Sequence, residues 1–174
     1  TPDMEDPKEL KKFLELIRSL SAKGAILAYH DRSDGGLAAA LCEMMFASHV
    51  GVEIVADALV SKDRTLNQAL FNEELGAVIQ VARGRAAEVE RDFEAAGMGW
   101  SLKYLGNLTQ DDHLNIYLEG KCVLSEDRVD LQKAWNEVSW QIARMRDNPE
   151  CADSEYELIS DKHNGGLVLT MGFD

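Results

Sequence analysis

The run His30-Asp31-Arg32-Ser33-Asp34-Gly35-Gly36-Leu37 constrains this chain more than any other stretch. It joins an apolar segment, Ala25 to Tyr29, to a long apolar helix pattern beginning near Leu37. It therefore reads as a strand-to-helix turn carrying carboxylates, a hydroxyl and two adjacent glycines. Such a turn suits a metal-bound phosphate. Glycines let backbone approach a ligand, the N–H groups of a helix start favour an anion, and Asp31 or Asp34 can hold the Mg²⁺ that neutralises it. The same residues also fit a plain packing role, with Ser33 or Asp34 capping the helix and the glycines relieving contact. The motif by itself leaves both readings open.

The elements around the turn are set by local signals. Asp6-Pro7-Lys8-Glu9 combines an acidic cap with proline at the first helical position, and Leu10, Phe13, Leu14, Ile17 and Leu20 then recur on one face. Lys23-Gly24 is the stop, and Ala25 to Tyr29 reads as a short, fully buried strand. From Gly36 to Ser48 Glu43 is the only charge, which places that helix centrally. Val52 to Val55 alternates like a half-exposed strand, Thr65 caps a short helix through Leu70, and Ala77 to Val81 is the next strand. Arg85 to Ala96 is helical and closed by Gly97. Leu102 to Leu105 and Leu114 to Leu118 complete the strands around an Asp111-Asp112 hairpin turn. A late helix from Val129 to Met145 carries an apolar stripe of Leu131, Trp135, Val138, Ile142 and Met145, and Asn148-Pro149 ends it. Cys151 to Ser160 reads as an acidic linker, and Gly166 to Met171 as a final strand. The pattern predicts an α+β fold with a mixed or mostly antiparallel sheet and helices packed on one side.

Composition narrows the function classes. At 174 residues, with 45% hydrophobic content, the chain can bury one substantial core. A formal charge of −13 argues against electrostatic binding to nucleic acid or an anionic membrane, and Lys8, Lys11 and Lys12 alternate with Glu9 and Glu15 rather than forming a basic patch. No apolar stretch is long enough for a membrane span and the start lacks signal-peptide character, so the expected location is cytoplasmic. Cys42, Cys122 and Cys151 are scattered and unpaired in spacing, which indicates neither a disulfide scaffold nor a zinc site.

Three segments carry a family resemblance. Tyr29 to Leu37 with its helix, Leu70-Phe71-Asn72-Glu73-Glu74-Leu75-Gly76 with the strand after it, and Leu131 to Ala152 with Trp135, Trp140, Arg146-Asp147-Asn148-Pro149 and Cys151-Ala152 follow each other in a familiar order. Together they resemble the large, single-chain form of phosphoribosylformylglycinamidine synthase, the glutamine-dependent ligase of purine biosynthesis. The matching region is the C-terminal part of its second synthetase half, an AIR synthase-related C-terminal domain. His163-Asn164-Gly165-Gly166 departs from the family's wording.

The resemblance implies an α+β domain over residues 1–146, and an exit linker and truncated element over 147–174 leading toward a glutaminase domain that lies elsewhere. It implies Mg²⁺ and ATP or ADP as ligands, with Asp31 on the metal, Ser33 on the nucleotide, and Gly35 and Gly36 as backbone-approach positions, most naturally at an auxiliary nucleotide site. No residue here is expected to be catalytic. The implied partners are the remaining synthetase and glutaminase domains of the same polypeptide, and the fragment alone is expected to be inactive. Two other readings compete: a domain of another AIR synthase-like ATP-binding enzyme, and a noncatalytic interaction module. On the residues themselves, His30 reads as a hydrogen-bonded structural histidine and Asp34 as balanced between support and capping. Of Glu73 and Glu74 one reads as solvated and the other as a cap or bridge; Asp111-Asp112-His113 reads as a turn, and Trp135 and Trp140 as packing residues.

Overall fold

The computed structural model describes residues 6–161, which divide into two compact units, one ending at Ser125 and one beginning at Glu126. The first opens with helix α1, Pro7–Ala22, whose start is set by Asp6 accepting from the Lys8 N–H at 2.8 Å and by Pro7 in the first turn. Lys23 ends it and Gly24, at φ 65°, turns the chain into strand β1, Ile26–Asp31. β1 is not the fully buried strand its apolar run predicts. Its burial alternates, leaving Leu27 and Tyr29 exposed while Ile26, Ala28 and His30 are half-buried, because only one face meets the core. Helix α2, Gly36–Ser48, buries Leu37, Ala40, Leu41 and Met45 and is central as expected.

Strand β2 is Gly51–Val55, helix α3 Leu66–Phe71, strand β3 Ala77–Val81 and helix α4 Ala86–Ala95. Thr65 and Gln68 form a reciprocal capping box on α3. Gly97, at φ 71°, closes α4. Leu20, Ala25, Val89, Phe93 and Met98 make one buried core with Phe13, Ile17, Ile26 and Val81 packed against it, so α1 and α4 are held to β1 and β3 by apolar burial.

The later strands are β4 at Gly106–Thr109, β5 at His113–Leu118 and β6 at Lys121–Asp127. Among the described residues there are two sheets: β1 pairs antiparallel with β3, and a four-stranded mixed sheet runs β4-β2-β5-β6. β2 is antiparallel to β4 and parallel to β5. The α+β class with a mixed sheet is as predicted, but two local expectations are corrected. Residues 102–105 are not a strand; the strand begins at Gly106. Asp111-Asp112 does not close a hairpin, because β2 lies between β4 and β5 and the turn crosses its end. Gly51 sits directly beneath that crossing, where a Cβ would overlap Thr109 Oγ1 and Asp111 Oδ1. Over Val52 to Val55 β2 alternates as predicted, with Val52 and Ile54 buried, Glu53 half-buried and Val55 exposed. Ile54 lies opposite Ile116 with each 1% exposed, a burial worth about 1.5–3 kcal/mol per side chain.

The second unit contains helix α5, Arg128–Arg146, and helix α6, Pro149–Glu157, extended by a single tight turn at Leu158–Ser160. The acidic linker expected over 151–160 is therefore helix. Asn148 Oδ1 accepts from the N–H groups of Glu150 and Cys151, at 2.9 and 3.2 Å, and Pro149 occupies the first turn. The residues that end α5 also start α6. Trp140 stacks on Tyr156 with centroids 4.3 Å apart and donates its indole N–H to Asp153 at 2.9 Å, which ties α6 to α5. Trp140 thus packs as expected, whereas Trp135 stays 58% exposed. Among the described residues no helix is long and apolar enough to cross a membrane. The strand expected at Gly166 to Met171 lies outside the described residues.

Candidate functional site

β1 ends at Asp31 and α2 begins at Gly36, so the motif occupies the turn between them. Asp31, Ser33 and Asp34 are all exposed. The cap position of α2 falls on Gly35, at φ 78°, which has no side chain. The capping role open to Ser33 or Asp34 in the sequence is therefore not the one they take. Gly36 is also left-handed, at φ 67°, and donates its N–H to the Ser33 carbonyl at 2.9 Å.

The turn is seated on the segment between α3 and β3, which follows it by about forty residues. A Cβ on Gly36 would lie 2.8 Å from the carbonyl oxygens of Leu70 and Asn72, so this glycine is required by the backbone against it. Arg32 donates Nε to the Glu74 carbonyl at 2.6 Å and its second terminal nitrogen to the Leu75 carbonyl at 3.1 Å. Its own backbone N–H reaches the Gly76 carbonyl at 2.8 Å. Gly76 lies under the guanidinium, where an added Cβ would come within 3.2 Å of the terminal nitrogen. Burial and the neighbouring Arg64 lower the Arg32 pKa, against the opposing charge of Glu74. Glu73 completes the seat by accepting the Gly35 N–H on Oε1 at 3.1 Å. Of the two adjacent glutamates, Glu73 is the bridging one.

His30 is tied on both nitrogens, Nδ1 to the Asp31 carbonyl at 2.6 Å and Nε2 to Glu43 of α2 at 2.8 Å. It links β1 to α2, in keeping with the structural role assigned to it. Burial raises the Tyr29 pKa, with a further contribution from the Asp31 charge. Cys42, half-buried on α2, has its thiol pushed up to about 11 by burial and by Glu43. In the four-stranded sheet, between β4 and β5, Asp111 accepts from the Thr109 hydroxyl at 2.5 Å, the His113 N–H at 3.3 Å and Asn115 Nδ2 at 3.0 Å. Asp111 thus serves the turn geometry, and its carboxyl is held below the usual range, chiefly by the Thr109 hydrogen bond.

Among the described residues no three His, Cys, Asp or Glu side chains gather as a metal cluster. Asp31 is a hard oxygen donor of the kind Mg²⁺ takes, and Ser33 adds a hydroxyl. Mg²⁺ requires six oxygens, so the turn fits such an ion as a partial shell completed by phosphate, water or other chain segments. His30, Asp31 and Arg32 also line an open concavity of about 2060 Å³ in the first unit, with Leu41, Met45 and Phe93 among its apolar walls. That volume is well above the roughly 300–1,000 Å³ of small-molecule pockets, so it describes an open face rather than a closed ligand site. Arg32 and Glu43 are not marked as working parts by sequence, and sequence leaves open which of Glu73 and Glu74 bridges; the signals available are an arginine inside the motif and a glycine directly after Glu73-Glu74-Leu75.

A family model described as AIR synthase related protein, C-terminal domain, matches residues 1–119. Among solved structures, T. maritima PurL complexed with FGAR has a TM-score of 0.64 at 16% identity, over 74% of this chain and 21% of that one. T. maritima PurL complexed with ATP gives 0.62 at 16% identity, over 72% and 22%. A chain of a HypE–HypF complex gives 0.55 at 21% identity, over 65% and 39%. At these identities the likeness is one of fold, and the chain spans about a fifth of the length of the PurL chains, 21% and 22%.

Proposed function

The chain belongs to the AIR synthase related protein, C-terminal domain family, and on that premise we propose that it is part of a phosphoribosylformylglycinamidine synthase. It would form the C-terminal part of the second synthetase half, with residues 1–146 as the family domain and 147–174 leading toward a glutaminase domain. The intact polypeptide would be an ATP-dependent C–N ligase converting formylglycinamide ribonucleotide to formylglycinamidine ribonucleotide, with glutamine as ammonia donor. This chain's share is a Mg-nucleotide site, auxiliary rather than reacting, and it supplies no catalytic residue.

One observation carries the reading: the polar side chains of the turn are exposed and relieved of capping, while Gly35 holds the cap position and Glu73 accepts its N–H. Asp31 would hold the metal and Ser33 the nucleotide, with Gly35 and Gly36 shaping the backbone between them. A bound Mg²⁺ would supply neutralisation of phosphate charge. The remaining work is done by this chain: Arg32 fixes the turn to the segment before β3 and His30 ties β1 to α2, so the two donors are held before any ligand arrives. The fold shared with PurL complexed with ATP supports nucleotide as the ligand class. The HypE–HypF likeness supports a second reading, a domain of a different AIR synthase-like ATP-binding enzyme.

The test is Asp31→Asn in the intact polypeptide. Losing a charged ligand contact should weaken Mg-ADP binding roughly ten- to a hundredfold with the fold retained, and Ser33→Ala should cost less. Nucleotide content after purification and the Mg-ADP-induced melting shift report it. Retained nucleotide with an unchanged shift would refute the metal assignment. ADP formation that does not depend on formylglycinamide ribonucleotide would favour the second reading.

A further inference from the structure

We propose that Glu73 is a specificity-determining residue that makes the Asp31–Gly36 turn accept cation-bound nucleotide phosphates and reject free ones; this rests on the nucleotide reading above. The start of a thirteen-residue helix carries partial positive charge and free N–H groups, and would ordinarily receive an anion directly. Here a protein carboxylate already stands there, with Glu73 Oε1 on the Gly35 N–H at 3.1 Å. The next N–H, that of Gly36, is turned inward to the Ser33 carbonyl at 2.9 Å. The one guanidinium in the motif is also engaged, since Arg32 donates to the carbonyls of Glu74 and Leu75.

What the turn still offers to solvent is acidic: Asp31 and Asp34, both exposed. A bare phosphate approaching it meets carboxylates and a helix start whose first two N–H groups, those of Gly35 and Gly36, are already taken. A phosphate carrying a divalent cation meets ligands. Glu73 is held to this position from both sides, because Asn72 Oδ1 accepts the Glu74 N–H at 2.6 Å and Arg32 clamps the carbonyls that follow. The discrimination is therefore built into the resting turn.

The experiment compares calorimetric titrations of the intact polypeptide with ADP plus Mg²⁺ and with ADP plus EDTA. Wild type should prefer Mg-ADP. Glu73→Gln keeps an amide oxygen for the Gly35 N–H and removes the charge, so metal-free ADP should bind roughly tenfold tighter while Mg-ADP changes far less. Glu73→Ala should narrow the preference in the same direction. Folded variants with an unchanged preference ratio would overturn this inference and leave the nucleotide reading standing. Loss of folding in both variants would also overturn it, by making Glu73 a structural brace. A wild type that binds neither form would overturn the nucleotide reading and this inference together.

Discussion

Gly36→Ala is the sharpest probe of how the turn is held. Two separate penalties apply at this residue. Its φ of 67° is left-handed, which costs an L-residue about 1–2 kcal/mol. Its Cβ would also stand 2.8 Å from the carbonyl oxygens of Leu70 and Asn72 and from the Phe71 carbonyl carbon. These are backbone atoms at the end of α3 and just after it that cannot rotate aside, and forcing them apart adds about 1–3 kcal/mol. The expected destabilisation is about 2–5 kcal/mol, a large share of the roughly 5–15 kcal/mol that holds a domain together. For a chain of this size it should lower the melting temperature by roughly 5–15 °C. Gly84→Ala, where nothing lies within 4 Å of the added atom, is the matched control and should be near neutral. Thermal and urea unfolding of the three proteins measures the difference. If Gly36→Ala stays within about 0.5 kcal/mol of wild type, the turn is not seated on the 70–76 segment as described, and the positioning argument for Asp31 and Ser33 falls with it.

Two further predictions use titration. The Asp111 carboxyl is depressed by its hydrogen bonds, first that from Thr109, so its contribution to stability is present above the unfolded pKa and lost as pH falls through the folded one. The stability gap between wild type and Asp111→Asn, read from urea midpoints, should therefore shrink between about pH 5 and about pH 2, and a constant gap would refute the assignment. With its thiol pushed up to about 11, Cys42 stays protonated under conditions where exposed Cys122 and Cys151 react. Timed iodoacetamide labelling at roughly pH 8, read by peptide mapping, should modify Cys42 last, and equal rates would contradict the burial on α2.

Elements whose signals are local were legible in the sequence. Asp6-Pro7 starts α1, Thr65 and Gln68 box the start of α3, and Gly24 and Gly97 close helices with positive φ, each within a few residues of the effect. What failed depends on distant partners. The Asp111-Asp112 turn has hairpin composition, yet the strand inserted beside it, β2, comes from residues 51–55 and is invisible to a local reading. Residues 102–105 are as apolar as a strand, but the pairing with β2 falls on Gly106–Thr109, with Val52 opposite Leu108. Asn148-Pro149 is ambiguous in a different way, because a residue that disfavours continuing one helix is also a preferred first residue of the next. Only the bonds from Glu150 and Cys151 to the Asn148 side chain decide it.

The same division runs through the candidate site and explains why its chemistry was half legible. The motif's residue types are local, so Asp31, Ser33 and the paired glycines stand out at once. Whether Ser33 and Asp34 cap α2 or remain available is not local, because it turns on where the cap falls and on what takes the Gly35 N–H. That acceptor, Glu73, lies 38 residues downstream in a pair that sequence could describe only as one solvated and one bridging. Arg32 is likewise unremarkable as a charged turn residue until its donors are seen to reach carbonyls 42 and 43 residues away. The turn therefore presents its carboxylates and hydroxyl because a second segment has taken over the structural tasks they would otherwise perform. A loop that must cap its own helix cannot also offer those oxygens to a ligand. By delegating the cap position to Gly35 and the anchoring to Glu73 and Arg32, the fold separates holding the turn from using it.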